Sequence, residues 1–230
     1  MNLYSKLSAR AANNNPLRVA IIGAGKFASM YLAQVHKTPG VHVAAIADLN
    51  PENVFSNLNR VGWSRAQYEA ASVDDAIRTG GTWVTEDWGK VIADPRIDIV
   101  IEATGNPPAA GEHILRSFEQ GTHVVNVTVE ADALCGPYLA RYAIENNVIY
   151  SWAYGDQPAL ICDLVDWARA SGFRVVSAGR GHKWLPHFAQ STPETVWGYY
   201  GLSPDKAERG GLNPKMFNSF LDGSKPAIES

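Results

Sequence analysis

The amino-acid sequence predicts an α/β fold, a doubly wound parallel sheet followed by a partial second α+β domain. Two observations support this prediction. Short apolar runs alternate with helix-like segments six times within residues 1–155, a pattern typical of parallel strands joined by helical crossovers. The run at residues 17–22, LRVAII, is also of the kind expected for a strand that is buried on both faces.

Six strands are predicted in this first part of the chain. Their ranges are 17–22, 41–48, 82–85, 97–105, 122–129 and 148–155. Beyond them, apolar residues at helical spacing predict a helix that Gly172 closes, and residues 173–181 read as a further strand. We therefore expect residues 1–155 to form one domain and residues 156–230 to form part of a substrate or dimerisation domain.

Composition and charge exclude several classes of protein. The formal net charge is −3 with no basic run, which argues against a nucleic-acid partner. The two cysteines, Cys135 and Cys162, show neither a disulfide framework nor metal-ligand spacing, so no metal site is predicted. No run of 18 apolar residues is present, and the N-terminus lacks the apolar segment of a secretory signal. We expect a cytoplasmic protein that acts on a small molecule and not at a membrane.

The segment GAGKFA, residues 23–28, fits the dinucleotide-binding fingerprint G-x-G-x-x-A of Rossmann folds. Gly23 would make the tight turn, Gly25 would let the backbone approach a pyrophosphate, and Ala28 would allow close packing of helix on strand. Lys26 and Phe27 lie inside the motif and belong to the predicted site. The motif alone is weak evidence, but here it follows a buried strand and opens a helix. A purely structural glycine turn is the alternative.

Two other strand ends complete the predicted cofactor site. Asp48 ends the second strand and could accept hydrogen bonds from the adenosine ribose, which favours NAD by repelling a 2′-phosphate. Alternatively, Asp48 caps the turn before Pro51. Thr104, Gly105 and Asn106 follow the fourth strand and would bring small residues and a hydroxyl against the cofactor.

The segments RVAIIGAGKF, IDIVIEATG, AYGDQPAL and NPKMFNSFLDG resemble the homoserine-dehydrogenase-like oxidoreductases that carry a C-terminal SAF domain. That group includes deoxyxylulose-phosphate-reductoisomerase-like proteins, and the resemblance extends over nearly the whole chain. It implies an NAD(P)-dependent oxidoreductase that transfers hydride to or from a small hydroxy or carbonyl substrate. The reductoisomerase-like relatives use NADPH, so the cofactor stays NAD(P). Members of the group are longer, and we expect this chain to be truncated.

One departure from that pattern bears on the substrate. Homoserine dehydrogenases have a lysine at the end of the fifth strand, where this sequence has Val129 with Glu130 next. Homoserine itself is therefore disfavoured. Two alternatives remain open. One is a reductoisomerase-like NADPH enzyme of isoprenoid-precursor synthesis, and the other is a regulator that binds the dinucleotide without catalysis.

Four residues are candidates for the chemistry. Lys183 and His187 lie in GHKWLPH, where a substrate cleft is expected, and either could donate a proton to a carbonyl oxygen. Glu130 and Asp156 follow the fifth and sixth strands and could bring carboxylates near the transferred hydride. The alternatives are a surface lysine, a histidine at the core edge, and helix caps at both carboxylates.

The C-terminal segment supplies the predicted substrate-binding residues. Lys215 and Lys225 flank MFNSFLDGS and could bind a substrate phosphate or carboxylate, with Asn218 between them; solvated surface lysines are the alternative. This segment is also rich in aromatic residues with weak periodicity. We expect those residues to form an apolar patch that a homodimer would bury.

Overall fold

All six predicted strands form, and they pair in parallel in one sheet. The computed structural model describes residues 2–155, 157–181 and 183–225, and it divides into two compact units, Met1–Ala153 and Tyr154–Ser230. The strands of the first unit are β1 (Leu17–Ile22), β2 (Val41–Ala47), β3 (Trp83–Thr85), β4 (Ile99–Glu102), β5 (His123–Asn126) and β6 (Tyr150–Trp152). The predicted doubly wound sheet is confirmed.

The strand order, β3-β2-β1-β4-β5-β6, reverses direction between β1 and β4. Ile22 at the end of β1 pairs with Ala47 of β2 on one side and with Glu102 of β4 on the other. Three carboxyl ends therefore lie level with one another. In an open parallel sheet the crevice beyond such a switch point is where a ligand binds.

Helices cover both faces of the sheet. Those of the first unit are α1 (Leu3–Ala12), α2 (Lys26–Val35), α3 (Pro51–Arg60), α4 (Val73–Thr79), α5 (Trp88–Ile92), α6 (Pro107–Glu119) and α7 (Val129–Glu145). Successive residues of a strand point to opposite faces. Accordingly, Ile21 joins one core cluster with Leu32 and Leu58, whereas Ile22 joins a second with Phe118.

The helices that follow the site loops begin at side-chain caps. The Asn50 side chain accepts from the backbone N–H of Asn53 at the start of α3, and the Asn106 side chain accepts from Ala109 at the start of α6. A proline follows each cap at the first helical position, where its fixed φ favours a helix and its missing N–H costs nothing. These caps fix where each helix leaves the carboxyl edge of the sheet.

The strand predicted at 122–129 ends at Asn126, and Val129 already begins α7. The Asn126 side chain turns the chain, because its Oδ1 accepts from the N–H of Thr128 (2.9 Å) and its Nδ2 donates to the Thr128 carbonyl oxygen (3.2 Å). Glu130 therefore lies in the first turn of α7, after the N-cap position at Thr128.

The second unit is helical in its described part. Its helices are α8 (Gln157–Ala170), α9 (Val196–Tyr199), α10 (Pro204–Arg209) and α11 (Pro214–Leu221). The strand predicted at 173–181 is wrong: no strand pairing occurs along this stretch, and Val176 is 82% exposed. A strand needs a neighbour to satisfy its backbone hydrogen bonds, and among the described residues this segment has none.

Candidate functional site

A cavity of about 440 Å³ opens at the carboxyl ends of β1, β2 and β4. Its lining consists of the residues that end these strands, the turn after β3 and the start of α6. They are Ile22, Gly23, Gly25, Ala47, Asp48, Leu49, Glu86, Trp88, Ala103, Thr104, Asn106, Ala109, Glu112 and His113. Five of the nine predicted cofactor residues, Gly23, Gly25, Asp48, Thr104 and Asn106, are thus brought together in one place.

Gly23 makes the sharp turn out of β1. Its φ is +91°, in the left-handed region that favours glycine, and its N–H donates to the carbonyl oxygen of Ala47 (2.8 Å). A Cβ at this position would lie 2.7 Å from the backbone of Ala103 and Thr104. The protein itself therefore requires glycine here, because the loop after β4 passes directly over the turn.

Gly25 is different, because no contact within the protein requires a glycine at this position. Its φ is −73°, which any residue can adopt, and a Cβ would meet nothing within 4 Å. The position lines the cavity and caps the N-terminus of α2, whose first turn presents backbone N–H groups without intrahelical acceptors. A pyrophosphate suits such a place, since it is anionic and must approach the backbone closely.

Of the other predicted cofactor residues in the fingerprint, one is buried in the core and two are exposed. Ala28 is buried in the cluster that holds Ile21 and Leu32, in agreement with its predicted packing role. Lys26 and Phe27 are exposed in the first turn of α2 and do not line the described cavity. The sequence motif alone does not separate these two groups of residues.

Asp48 ties the end of β2 to the glycine turn. Its Oδ2 accepts from the backbone N–H of Ala24 (2.7 Å), and its Oδ1 accepts from that of Asn50 (2.9 Å). The turn-capping interpretation of Asp48 thus has a structural basis. A carboxylate has about four lone-pair positions, so acceptance from a ribose hydroxyl is also compatible with these two bonds.

Asn57 of α3 fixes the same turn from its other side. Its Nδ2 donates to the carbonyl oxygen of Ala24 (2.9 Å), and its Oδ1 accepts from the Arg60 guanidinium (2.9 Å). Both backbone groups of Ala24 are therefore held by side chains, the N–H by Asp48 and the carbonyl by Asn57. The sequence gives no signal for Asn57, because its role depends on how α3 packs beside α2.

The loop after β4 is organised by Glu102, a fully buried carboxylate. Glu102 accepts from the Thr104 hydroxyl (2.5 Å) and from the Thr128 hydroxyl, and His113 Nδ1 lies 3.4 Å from it. Thr128 Oγ1 in turn accepts from the N–H of Gly105 (3.0 Å). One buried carboxylate therefore connects the ends of β4 and β5 with α6. A charged residue inside the apolar run of β4 is the signal that could have revealed it.

Aromatic and imidazole rings form one wall of the cavity. Trp88 and the buried His113 meet edge to face, with ring centroids 4.6 Å apart. Gly105 has φ +67° and Asn106 caps α6, so both predicted loop residues have backbone roles as well. The cavity lining thus combines ring surfaces with the carboxylate of Asp48, and these two kinds of group suit the base and the ribose of a nucleoside.

A second polar group lies on α7. Asp132 Oδ1 accepts from the hydroxyl of Tyr150 (2.8 Å), which also accepts from Asn126 Nδ2 (3.0 Å). Burial raises the pKa of the Asp132 carboxyl, although the hydrogen bonds from Tyr150 and Trp152 act in the opposite direction. Burial also raises the pKa of the neighbouring Cys135 thiol, so this cysteine is not an activated thiolate.

The predicted catalytic residues lie apart in the chain and are not assembled by the described contacts. Lys183 is exposed in an irregular stretch, and His187 is exposed in a short 3₁₀ segment with its ring 4.6 Å from that of Phe188. Glu130 is half-buried in α7. Asp156 lies outside the described residues.

Of the predicted substrate-binding residues, Lys215 is exposed on α11 and Lys225 is half-buried near its end. Asn218 is buried at 7% exposure, and its Nδ2 donates to Asp222 (3.1 Å). Its Oδ1 has no hydrogen-bond partner among the described atoms. Within the described ranges, no three His, Cys, Asp or Glu side chains are grouped as metal ligands, and no helix is long and apolar enough to cross a membrane.

The fold and this cavity define a dinucleotide-binding domain, and comparison with known proteins agrees. Residues 17–126 match the GFO/IDH/MocA oxidoreductase family with an NAD-binding Rossmann fold, and residues 155–230 match the catalytic domain of oxidoreductase DRL. These matches support the predicted class, an NAD(P)-dependent oxidoreductase, and they confirm the predicted NAD(P) cofactor.

Individual relatives point the same way. Homoserine dehydrogenase of Pseudomonas aeruginosa is 29% identical over 137 residues, or 60% of this chain, and that of Methylobacillus glycogenes is 27% identical over 111 residues, or 48%. The matched parts span only 29% and 24% of those proteins' lengths. The crystal structure of a homoserine dehydrogenase from Thiobacillus denitrificans superposes with a TM-score of 0.53 at 21% identity, covering 67% of this chain and 34% of that one. This last likeness concerns the fold.

Proposed function

We propose that the protein transfers hydride between a nicotinamide dinucleotide and a small hydroxy or carbonyl substrate. The observation that carries this proposal is the position of Gly25, which lines a cavity at the switch point and has open space where a side chain would be. The matches to two oxidoreductase families support the same class of reaction.

Different parts of the cavity bind different parts of the dinucleotide. The turn at Gly23 and Gly25, with the N-terminus of α2, holds the pyrophosphate, and Asp48 accepts from the adenosine ribose. The loop of Thr104 and Gly105, held by Glu102 and Thr128, lies at the end of β4, the next strand beyond β1. When bound, the nicotinamide ring would supply or accept the hydride. The chain's own residues bind and orient it.

The substrate needs a proton donor and a group that polarises its oxygen. We assign these roles to Lys183 and His187 of the second unit, with Lys215 as a contact for an anionic group of the substrate and Asn218 as a contact for one of its hydroxyl groups. The unpartnered Oδ1 of Asn218 supports this choice, because a buried acceptor gains most from a ligand that donates to it. Glu130 and Asp156 remain candidates for orienting a substrate hydroxyl.

The identity of the substrate separates the alternatives. Val129 stands where homoserine dehydrogenases have lysine. As candidate substrates we therefore rank homoserine below hydroxy-aldehydes, ketones and sugar phosphates. A sugar phosphate that is rearranged and then reduced would correspond to the reductoisomerase-like alternative. The match of residues 155–230 to a catalytic domain favours an enzyme over a regulator that only binds the dinucleotide.

The test is a two-stage measurement on the full chain. NADH and NADPH are titrated by nicotinamide fluorescence, and cofactor oxidation is then followed with a panel of hydroxy-aldehydes, ketones, sugar phosphates and aspartate semialdehyde. We expect the reduced dinucleotide to bind and at least one member of the panel to be turned over. Lys183→Ala or His187→Ala should lower that turnover by about 100-fold. Lys206→Ala, an exposed lysine on α10 of the same unit, serves as the control. Absence of binding would contradict the proposal, whereas binding without turnover would favour the regulator.

A further inference from the structure

The cavity contains a distribution of charge that bears on which dinucleotide it accepts. Three of its lining residues, Asp48, Glu86 and Glu112, carry carboxylates. They come from three separate elements: the end of β2, the turn after β3 and the second turn of α6. Among the described residues that line the cavity, none is a lysine or an arginine.

Of the basic side chains close in sequence to the lining residues, Lys26 is exposed in the first turn of α2 and is not part of the described lining, and two others are paired elsewhere. Lys90 pairs with Asp87 (2.9 Å) and Arg116 pairs with Glu119 (3.0 Å). The imidazole of His113 does line the cavity, but it is buried and lies 3.4 Å from the Glu102 carboxylate. No cation of the described lining thus faces Glu86 and Glu112.

We infer that the site selects NAD(H) over NADP(H), and that Glu86 and Glu112, together with Asp48, are the residues that determine this specificity. The inference rests on the proposed function, since it assumes that the adenosine half of a dinucleotide occupies this cavity. A 2′-phosphate adds almost two negative charges beside the ribose. Sites that accept it supply an arginine, whereas the described lining of this cavity holds three carboxylates from three elements.

The contribution of Glu86 and Glu112 is separable from that of Asp48. Asp48 is committed to two backbone N–H groups, so its substitution disturbs the turn as well as the charge. Glu86 and Glu112 are exposed side chains. Their replacement by glutamine therefore changes charge at nearly constant shape and leaves the fold intact.

The experiment measures dissociation constants for NADH, NADPH, ADP-ribose and 2′-phospho-ADP-ribose with the full chain by calorimetry. The last two probes report on the adenosine half alone. We expect the unphosphorylated member of each pair to bind at least about tenfold more tightly. Each of Glu86→Gln and Glu112→Gln should narrow the ratio of the two dissociation constants about threefold, and the double variant about tenfold, as expected when a charge that repels the phosphate is removed from a wet site. Raising the ionic strength should narrow it as well.

Glu145→Gln is the matched control, because it removes one exposed carboxylate at the last residue of α7, outside the cavity lining. The ratio of dissociation constants between phosphorylated and unphosphorylated probes should stay within about twofold of the wild-type ratio in this variant. Tighter binding of the phosphorylated probes by the wild-type chain, or an unchanged ratio in the double variant, would overturn the inference while leaving the proposed function standing. Failure to bind any of the four probes would instead contradict the proposed function, and the inference with it.

Discussion

The two glycines of the 23–25 turn differ in what surrounds them. A Cβ at Gly23 would lie 2.7 Å from backbone atoms of Ala103 and Thr104, at a φ of +91°, whereas a Cβ at Gly25 meets open space at an ordinary φ. The first glycine is demanded by the fold. The second leaves room for something that is not part of the chain.

This difference predicts opposite outcomes for two substitutions. Gly23→Ala should lower the free energy of unfolding by about 2 kcal/mol or more, because strain and a backbone clash add together. Gly25→Val should leave stability nearly unchanged and weaken NADH binding more than about tenfold, because the new side chain occupies the pyrophosphate position. Chemical denaturation and fluorescence titration measure the two effects.

Gly198→Val controls for the glycine-to-valine change, since Gly198 in the second unit also has no atom within 4 Å of a built Cβ. We expect it to leave binding unchanged. If Gly25→Val bound NADH as well as the wild type does, the open space at Gly25 would have no connection with the dinucleotide.

Asp48 has both a charge and two hydrogen bonds, and the two can be separated. Asp48→Asn removes the charge but keeps a single acceptor oxygen for the N–H groups of Ala24 and Asn50. We expect a loss of about 1–3 kcal/mol of stability from the unpaired N–H and a shift of the NADPH-to-NADH affinity ratio toward NADPH. Thermal unfolding and paired titrations test both parts. An unchanged ratio with reduced stability would leave Asp48 as a turn cap.

Helix α7 and strand β6 are joined by the contact between Asp132 and Tyr150. The Asp132 carboxyl also lies over Gly136, where a Cβ would come within 2.7 Å of its Cγ. The glycine therefore allows the carboxyl to fold back over its own helix. This arrangement buries a titratable group between two elements, and the raised pKa of Asp132 follows from that burial.

The raised pKa has a definite sign for stability. A folded-state pKa above the ordinary value of 3.8 means that the folded protein binds the proton more tightly than the unfolded chain does. The stability that this tighter proton binding adds to the folded state is complete below about pH 3.8 and is lost as the pH rises through the folded-state pKa. Asp132→Asn should lack this loss, so its stability relative to the wild type should rise with pH across the weakly acidic range.

Urea denaturation at a series of pH values measures this effect. Asp94→Asn provides a contrast of opposite sign, because hydrogen bonds from Arg96 lower the pKa of Asp94. That variant should lose stability relative to the wild type as the pH rises. Parallel stability curves for the wild type and Asp132→Asn would show that the burial of Asp132 has no energetic consequence.

The second unit has a small apolar cluster of Val196, Trp197, Ala207 and Leu221, and it leaves several large apolar side chains exposed. Leu164, Trp167, Phe173 and Val176 are 63–82% exposed. Soluble monomers rarely leave such side chains in a contiguous patch. We propose that the protein is a homodimer and that this surface forms its interface.

Light scattering decides this point. The wild-type chain should have twice the mass of a monomer, and Trp167→Glu should be a monomer, because a charge inside an apolar interface is costly to bury. Leu134→Glu is the control, since Leu134 is also largely exposed, at 76% against 64% for Trp167, but belongs to α7 of the first unit. A monodisperse wild-type monomer would contradict the proposal.

Comparison of the predicted and observed elements shows which patterns carry information. The strands at 17–22 and 41–48 were predicted to within a residue because their apolar runs fit only a buried strand. Helix α1 was missed because it has no buried residue and so no apolar periodicity to detect. Residues 173–181 have the composition of a strand, but composition does not reveal whether a neighbouring strand exists.

The sequence alone predicts the parallel sheet, the fingerprint turn and the position of Asp48 directly after β2, because these follow from local apolar patterns and from a regular alternation of elements. The remaining residues of the site become recognisable only in the folded chain. These residues come from five different parts of the first unit: Asn57, Glu86, Glu102, Thr128, and the neighbours Glu112 and His113 on α6. They meet because the strand order reverses beside β1, a long-range pairing that no local pattern encodes.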